Sequence, residues 1–431
     1  MKYLILITII GLITSCVPVS QQTHSSAPIN KSFSTNDRNY ESSIGMVQLF
    51  PTSTTANFNN LEYPVIALND RSGVTLEFDL LQKNADYVNV RFIHCNSDWT
   101  RSNLNDIQFL KEYNEFPVNQ YNFSANTRIP YVNYSVQLPT PTKSGNYVIM
   151  AYRDSDKNDL LLSRRLLVFD QRASVDPQIR ASTMVSKRDN FQQIEFGVRY
   201  EGLPDLNPLK DIKVSILQNH NWTTAVTGLQ PTLMRQDEKF LEYEHFNGEN
   251  NFAGWKEFRF FDLRSIDFRG MSVSSVLKQE DKVVANLGLD KSRKELAYSQ
   301  INEDINGNYY LQNRDPNDTE YESEYVQVNF DLMTEEVPGD VYITGMFNNW
   351  NFTNENKMVY NATSQSYQGS IWLKQGYYNY QYWVKSDNVP EYELEGSHYQ
   401  TFNDYEILVY YRNPFNNFDE LIGYRLVSSR N

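Results

Sequence analysis

The sequence predicts an all-β protein that folds as three consecutive β-sandwich domains, and three observations support this fold class. Apolar and polar residues alternate with a period of two in several segments, for example Val74 to Leu80, Ile194 to Tyr200 and Val326 to Leu332, as in strands with one buried and one wet face. Turn signals rich in Gly, Asn and Pro separate these segments, and none shows a sustained 3.6-residue apolar period. Many short antiparallel strands favour sandwiches over α/β units.

Composition and charge place the chain among globular proteins and exclude one class of partner. Of the 431 residues, 40% are hydrophobic and 14% aromatic, with only 18 Gly and 16 Pro, which is unlike a disordered or collagenous chain. The 39 basic and 53 acidic residues give a net charge of -14. Such a balance argues against affinity for a phosphate backbone, so we expect no nucleic-acid partner.

The N-terminal segment has the pattern of a secretory signal peptide, which we assign to residues 1–15. Lys2 precedes an apolar run from Leu4 to Ile13, and small residues follow. This run is too short to span a bilayer, which takes about 20 apolar residues; a buried first strand or helix of the fold is the alternative. The ITSC run that ends at Cys16 resembles the bacterial lipobox, which implies that Cys16 is lipidated.

Residues 16–42 are predicted to be the lipidated N-terminus and a flexible tether, since the stretch from Val17 to about Tyr40 is rich in Ser, Thr, Gln, Asn and Pro. No acidic residue occurs in VPVSQQTHSS (Val17 to Ser26), whereas surface-displayed lipoproteins of the relevant bacteria tend to have an acidic run after the cysteine. The interpretation is a lipid anchor in the outer membrane that faces the periplasm.

Two polar stretches predict the domain boundaries. Gln171 to Pro177 follows the strand-like RRLLVF run, and Asn313 to Ser323 contains Asp-Pro-Asn-Asp. The predicted β-sandwiches are therefore residues 43–172, 173–318 and 319–431.

No catalytic signature is present in the sequence. It lacks a glycine-rich phosphate loop, HExxH and GxSxG. The five histidines are dispersed, and only His94 and Cys95 are adjacent; neighbours in a strand point to opposite faces. We therefore predict a protein that is not an enzyme and has no catalytic residue, cofactor, metal or small-molecule substrate. Cys95 is expected to be a small buried residue of a strand.

The C-terminal region resembles early-set immunoglobulin-like modules that bind glycogen or precede the catalytic domain of starch-branching enzymes. The resemblance rests on GMFNNW (Gly345 to Trp350) and LKQGYYNYQYWV (Leu373 to Val384). In the binding members the first tryptophan stacks on a sugar ring, and Trp350 takes its place here. Gln381 replaces their lysine, and no tryptophan follows in Asn388 to Pro390. Trp350 is therefore interpreted as structural or as a protein contact, and a carbohydrate-binding lipoprotein that uses this module is the alternative function.

Several runs together resemble the plug protein family of the type IX secretion system. The runs are IHCNSDW (Ile93 to Trp99), SANT (Ser124 to Thr127), KSGNYVI (Lys143 to Ile149) and the RRLLVF strand, followed by GMFNNW, LKQGYYNYQY, EGSHYQTFNDY (Glu395 to Tyr405) and LIGY (Leu421 to Tyr424). The resemblance implies a non-enzymatic protein that binds the outer-membrane translocon barrel and seals its periplasmic opening while no cargo is exported.

The positions in these motifs are predicted to be structural or interface residues. They are His94, Asp98, Trp99, Asn126, Thr127, Gly145, Asn146, Tyr147, Arg164, Arg165, Phe347, Asn349, Trp350, Gly376, Tyr378 and Tyr380. A buried tryptophan with hydrogen-bonded neighbours is the first interpretation of Trp99, and an interface with the barrel is the second. Arg164 and Arg165 would point to opposite faces of one strand, and one of them would pair with a carboxylate such as Asp98.

Overall fold

The computed structural model describes residues 31–53, 61–203, 207–299, 304–315, 320–415 and 417–430. The predicted signal peptide, Cys16 and residues 16–30 of the predicted tether lie outside this range. Among the described residues, no helix has the length and apolar character needed to cross a membrane. The described part is nearly all β, as predicted.

The first sandwich contains ten strands and the one-turn helix α1 (Asp106–Phe109). Its strands are β1 (Arg38–Asn39), β2 (Ile44–Pro51), β3 (Val65–Ala67), β4 (Val74–Leu80), β5 (Val88–Cys95), β6 (Phe116–Pro117), β7 (Gln120–Phe123), β8 (Val132–Leu138), β9 (Gly145–Arg153) and β10 (Leu160–Phe169). One sheet has the order β1-β10-β9-β5-β6 with β3 beside β10, and the other has the order β2-β4-β8-β7. The alternating residues Val74, Leu76, Phe78 and Leu80 all lie in the core between the sheets, as their period of two predicts.

The described part of the predicted flexible tether, residues 31–42, is held against this sandwich. Strand β1 pairs with β10, and Lys31 forms ion pairs with Glu41 and Asp159, the latter at 2.7 Å. Because polar residues make these contacts, the composition of the segment did not reveal them.

The second sandwich begins with seven strands and the one-turn helix α2 (Pro208–Asp211). These strands are β11 (Ser174–Ala181), β12 (Phe191–Arg199), β13 (Ile212–Gln218), β14 (Asn221–Thr227), β15 (Leu233–Arg235), β16 (Phe240–Tyr243) and β17 (Asn251–Ala253). One sheet has the order β11-β12-β16-β15, with β17 beside β12. The other sheet has four strands, of which β13 and β14 are two. The remaining two come from the end of the chain.

The third sandwich comes next along the chain, with two turns of 3₁₀ helix at Glu320–Glu322 and Met346–Asn348. Its strands are β18 (Arg259–Asp262), β19 (Val273–Lys278), β20 (Val283–Leu287), β21 (Asp290–Lys291), β22 (Tyr309–Leu311), β23 (Tyr325–Met333), β24 (Asp340–Thr344), β25 (Val359–Asn361), β26 (Ser366–Lys374) and β27 (Gly376–Lys385). One sheet is built around β27, which pairs with β18, β22 and β24, and the other has the order β19-β20-β23-β26-β25 with β21 beside β23.

The last two strands, β28 (Asp404–Arg412) and β29 (Asp419–Ser428), return to the second sandwich. Strand β28 pairs along its length with β13, from Ile212 opposite Tyr411 to Gln218 opposite Tyr405, and completes the order β14-β13-β28-β29. The predicted consecutive order and the boundary at residues 318 and 319 are therefore wrong: the third sandwich is inserted into the second. Turn and alternation patterns are local, and they carry no information on which distant strand a segment joins.

The first and second sandwiches share a buried face. The outer face of the sheet with β5, β9 and β10 packs on the outer face of the sheet with β13, β28 and β29, through a cluster that includes Val148, Leu167, Leu217 and Leu408. Eight of the nine residues of β9 are buried. Strands covered on both faces read as continuous apolar runs, which explains why β9 and β10 lack the alternation seen elsewhere.

The insertion leads to a prediction about fragments of the chain. Fragment 319–431 lacks strands β18 to β22 of the third sandwich and strand β13, which pairs with β28, so we expect it to show no cooperative thermal unfolding by circular dichroism. Fragment 255–402 contains the whole third sandwich and should unfold cooperatively. Cooperative unfolding of 319–431 together with failure of 255–402 would contradict the insertion.

Candidate functional site

The junction between the first and second sandwiches is built around the buried carboxylate of Asp419. This carboxylate accepts hydrogen bonds from the Ser97 amide at 3.0 Å and the Ser97 hydroxyl at 2.7 Å, and it pairs with Lys213 and Arg412 at 3.0 Å. Burial opposes its ionisation, but the Ser97 hydrogen bonds and Lys213 outweigh this and lower the pKa of Asp419. Ser97 belongs to the IHCNSDW run, so this motif holds the β28–β29 hairpin onto the first sandwich.

His94 lies beside this contact and is fixed on all sides. Its Nδ1 is 2.9 Å from the Ser102 hydroxyl and its Nε2 is 3.3 Å from the Ser144 carbonyl oxygen, while the rings of Tyr147 and Phe418 meet it edge-on. A Cβ on Gly145, whose φ is +144°, would lie 2.5 Å from His94 Nε2. Burial lowers the pKa of His94 to about 4, so the imidazole is neutral at pH 7 and serves packing.

Trp99 and Arg165 form an aromatic and cationic stack in the same junction. Trp99, at φ +63° and 6% exposed, meets Trp222 of the second sandwich edge-on at 4.9 Å, and the Arg165 guanidinium lies 4.1 Å from the centre of the Trp99 ring. Asn146 adds a direct bond, since its Oδ1 accepts from the Tyr410 hydroxyl at 2.8 Å. Trp99 thus lies between two sandwiches of its own chain.

The proposed pairing of Asp98 with an arginine is wrong. Asp98 is exposed, and its carboxylate accepts from the amide and hydroxyl of Thr100. Arg165 donates instead to the Thr35 carbonyl and the Asn36 side chain, and Arg164 to the Arg38 carbonyl and the Asn39 side chain. Both guanidiniums therefore hold residues 35–39 onto β10.

The junction between the first and third sandwiches contains a buried ion pair that the sequence did not reveal. Lys374 Nζ lies 2.8 Å from Asp79 Oδ2, with the two side chains 9% and 1% exposed. The Tyr325 hydroxyl donates to the same carboxylate at 2.7 Å and accepts from the Met46 amide at 2.9 Å. Lys374 also lies 4.2 Å from the centre of the Tyr131 ring. Asp79 occupies a polar position of an alternating strand, which predicts contact with water; here the third sandwich covers it.

The SANT loop extends this junction. Asn126, at φ +58°, donates to Glu322 at 2.6 Å, and Thr127 donates to the Ser124 hydroxyl at 2.9 Å. The buried carboxylate of Glu324 accepts from the Arg128 amide at 3.0 Å. The loop therefore orders the first sandwich against the chain that leads into β23.

The remaining motif residues lie in the third sandwich. Tyr378 and Tyr380 are buried, and their hydroxyls donate to the Lys374 carbonyl and, at 2.7 Å, to Asp290. The Phe347 ring meets Tyr378 edge-on, and a Cβ on Gly376 would lie 2.6 Å from the Tyr310 carbonyl oxygen. These residues form the inner packing of the module.

Trp350 is not available as a platform for a sugar ring. Asn349 and Trp350 both have positive φ, and Trp350 is only 4% exposed. Its ring packs on Phe258, and a Cβ on Gly307 would lie 2.5 Å from it. Stacking on a sugar ring needs an open aromatic face, and Trp350 does not offer one. The alternative function, a carbohydrate-binding lipoprotein, therefore lacks the tryptophan on which it depended.

The second and third sandwiches meet where Phe191 of β12 lies edge-on to Tyr392, with 6.0 Å between the ring centres, and where the Gln192 side chain donates to the Tyr399 carbonyl at 2.8 Å. All three sandwiches line one cleft of about 320 Å³, with Val47 and Leu49 from the first, Trp222 from the second, and Tyr309 and Trp350 from the third. Each sandwich is thus held by the other two.

Reactive side chains contribute little to these junctions. Cys95 is buried, and burial raises the pKa of its thiol to about 12, so the nucleophilic thiolate does not form near pH 7. In the described ranges, no three His, Cys, Asp or Glu side chains are grouped so that they could hold a metal ion. The arrangement is suited to holding domains together.

Removing the Asp79 carboxylate should strongly destabilise the protein. Asp79→Ala leaves Lys374 charged and unpaired in a buried site, which costs about 3 to 5 kcal/mol of the free energy of unfolding. The measurement is urea unfolding followed by tryptophan fluorescence. Asp340→Ala breaks the exposed pair between Lys357 and Asp340 and should leave the midpoint unchanged. An equal, small effect of both variants would contradict the role given to Asp79.

The neutral His94 predicts a pH dependence of stability. Its pKa falls from 6.5 to about 4 on folding, so the unfolded state binds the proton more tightly, and stability is lost as pH falls from about 6.5 to about 4. This loss amounts to about 3 kcal/mol. The His94→Gln variant has no group that titrates at this position and so does not show this loss. The difference in the free energy of unfolding between wild type and variant should therefore narrow from pH 7 to pH 4. Burial raises the pKa of Asp304 to about 6, so the contribution of Asp304 to stability increases as the pH falls. This contribution is the same in both proteins and cancels in the difference between them. A difference that is constant with pH would refute the assignment.

Comparison with known proteins places part of the chain in a family. Residues 44–170 match the family model described as "Type 9 secretion system plug protein 1st domain". A crystal structure of a hypothetical protein from Parabacteroides merdae ATCC 43184 is similar to this chain, with 27% sequence identity and a TM-score of 0.85 over 91% of this chain and 99% of that one. No curated protein matches. The match supports a role associated with type IX secretion and a location in the cell envelope. Residues 44–170 are therefore assigned to the family of first domains of type IX secretion system plug proteins.

Proposed function

We propose that this protein is a non-enzymatic component of the type IX secretion system that binds the outer-membrane translocon barrel and seals its periplasmic opening when no cargo is being exported. A lipid on Cys16 would hold it to the outer membrane, facing the periplasm. The observation that supports this most directly is the family match of residues 44–170, in which the IHCNSDW and SANT motifs make the contacts to the other two sandwiches.

The mutual bracing of the sandwiches supports a mechanical role. Asp419 holds the second sandwich to the first, the Asp79–Lys374 pair holds the third to the first, and the Phe191–Tyr392 contact joins the third to the second. Two domains with one contact can hinge, whereas three domains in mutual contact cannot move separately without breaking a buried junction. A stopper for a wide pore requires this resistance to deformation.

The size of the molecule is also compatible with a seal. A compact chain of 431 residues has a radius of gyration of about 22 Å. A barrel that exports folded domains must admit bodies of comparable size, so one copy of this protein is large enough to obstruct it. The energy for such a role comes from binding, and no bond needs to be made or broken.

Deletion of the gene tests the sealing function. We expect the deletion strain to take up a large fluorescent dye or vancomycin faster than the wild type, because unoccupied barrels leak, while secretion of type IX cargo persists. Translocon purified from wild-type membranes should contain this protein in a subpopulation of complexes. Unchanged permeability and a translocon without this protein would refute the proposal.

A Cys16→Ser variant serves as the control for anchoring. We expect it to move from the membrane fraction to the periplasmic fraction while the purified protein keeps its affinity for the translocon in solution. If the variant stays membrane-bound in a strain that lacks the translocon, the lipid anchor at Cys16 is wrong, but the sealing function is unaffected.

A further inference from the structure

Strand β7 is an open edge of the first sandwich. Strand β7 pairs with β8 on one side, and no other strand in the described part of the chain pairs with it. All four of its residues, Gln120 to Phe123, are exposed. Edge strands are usually protected by charges, proline or a covering segment, because unpaired main-chain groups invite another strand. Strand β7 carries neither a charge nor a proline.

The register shows which main-chain groups face outward. The Ser124 amide donates to the Tyr131 carbonyl at 2.9 Å, and this pair continues the register in which Asn122 lies opposite Asn133. Hydrogen-bonded and non-hydrogen-bonded pairs alternate in an antiparallel ladder. The amide and carbonyl groups of Asn122 therefore face β8, and those of Tyr121 and Phe123 face away from the sheet. This spacing is the one that an added strand needs.

The side chains of β7 extend an aromatic row to the same edge. Phe78 on β4 stacks on Tyr134 on β8 at 5.1 Å, and Tyr134 lies 5.9 Å from Tyr121. Tyr121 meets Phe123 edge-on at 5.8 Å, yet these two rings are 45% and 52% exposed. A core row that ends in half-exposed aromatic rings lacks its outermost neighbour, which would be an apolar side chain on the next strand.

The chain segment that precedes β7 also carries exposed apolar side chains. Ile107 in α1 and Tyr113 after it are 87% and 77% exposed, and the segment from α1 to β6 runs along the matching edge of the other sheet, with β6 paired to β5. The second sandwich covers the outer face of the sheet with β9 and β10, and the third contacts β2 at Met46 and the chain after β7 at Asn126. The described parts of the three sandwiches therefore leave this edge open.

We propose that β7 is the docking edge for an extended segment of the translocon polypeptide, which adds to the sheet as a further strand. The segment is uncharged, because Gln120 to Phe123 offer it no counter-charge, and it has apolar side chains at alternate positions that cover Tyr121 and Phe123. Main-chain hydrogen bonds supply affinity and the aromatic rings supply register, as in other cases of strand addition. This inference rests on the proposed function and identifies where the barrel binds.

Binding of the purified mature chain, residues 16–431 with Cys16→Ser to prevent lipidation, to detergent-solubilised translocon tests the docking edge. Tyr121→Ser combined with Phe123→Ser should weaken binding at least tenfold. Phe123→Pro should weaken it further than Phe123→Ala, because proline also removes the outward amide while the bonds to β8 remain. Val359→Ser is the matched control, since Val359 is 71% exposed on the edge strand β25. It should bind like the wild type, and thermal unfolding should show that all variants are folded.

The outcomes separate this inference from the proposed function. If the wild type binds and the β7 variants bind equally well, the docking edge is wrong and the sealing function stands. If the wild type does not bind the translocon, both are overturned. If the chain self-associates and the β7 variants abolish only this self-association, the edge is an interface between two copies and not the site for the translocon.

Discussion

The pairing of β13 with β28 is the constraint on which the rest of the structure depends. Seven pairs of residues in register join β13, in the middle of the chain, to β28, near its end. The third sandwich lies between these two strands in the sequence. The second sandwich is therefore complete only after the chain has passed through the third and returned to β13. The β28–β29 hairpin then carries Asp419 to Ser97 on the first sandwich. One strand pairing thus sets the position of the hairpin, of the junction with the first sandwich and of the inserted module.

The motif residues act mostly inside these junctions. His94, Trp99 and Asn146 lie between the first and second sandwiches, Asn126 lies against the chain that enters the third, and Arg164 and Arg165 hold residues 35–39 in place. Such residues are poor candidates for direct contact with another protein, since they are occupied by their own chain. Their effect on a partner would be indirect, through the relative placement of surfaces that carry no motif.

Alternation and turn signals predicted the features that depend on neighbouring residues: the strands and the side chains that each strand buries. The period of two in Val74 to Leu80 places the right side chains in the core, and the positions of turn signals separate most strands. Patterns of this kind could not predict that β28 joins β13 across an inserted domain, or that Asp79 would be covered by the third sandwich and meet Lys374. Both depend on contacts between distant segments, for which a single sequence has no periodic signal. The exposed rings of Tyr121 and Phe123 were missed for the same reason: alternation places them facing the core, but only the sheet order shows that the core ends there.

The insertion also sets an order of events when the chain folds. As the chain is made, the first sandwich can form early, whereas β13 can pair only with β14, and its other edge must wait until the whole inserted module and β28 have arrived. During that interval β13 exposes apolar residues such as Val214 and Ile216, which are fully buried in the finished protein. Rapid folding of the inserted module shortens the loop that separates β13 from β28 and so lowers the entropy cost of their meeting. The nascent chain is therefore most vulnerable to aggregation and proteolysis while its last thirty or so residues are still missing, and a chaperone would be of most use in that window.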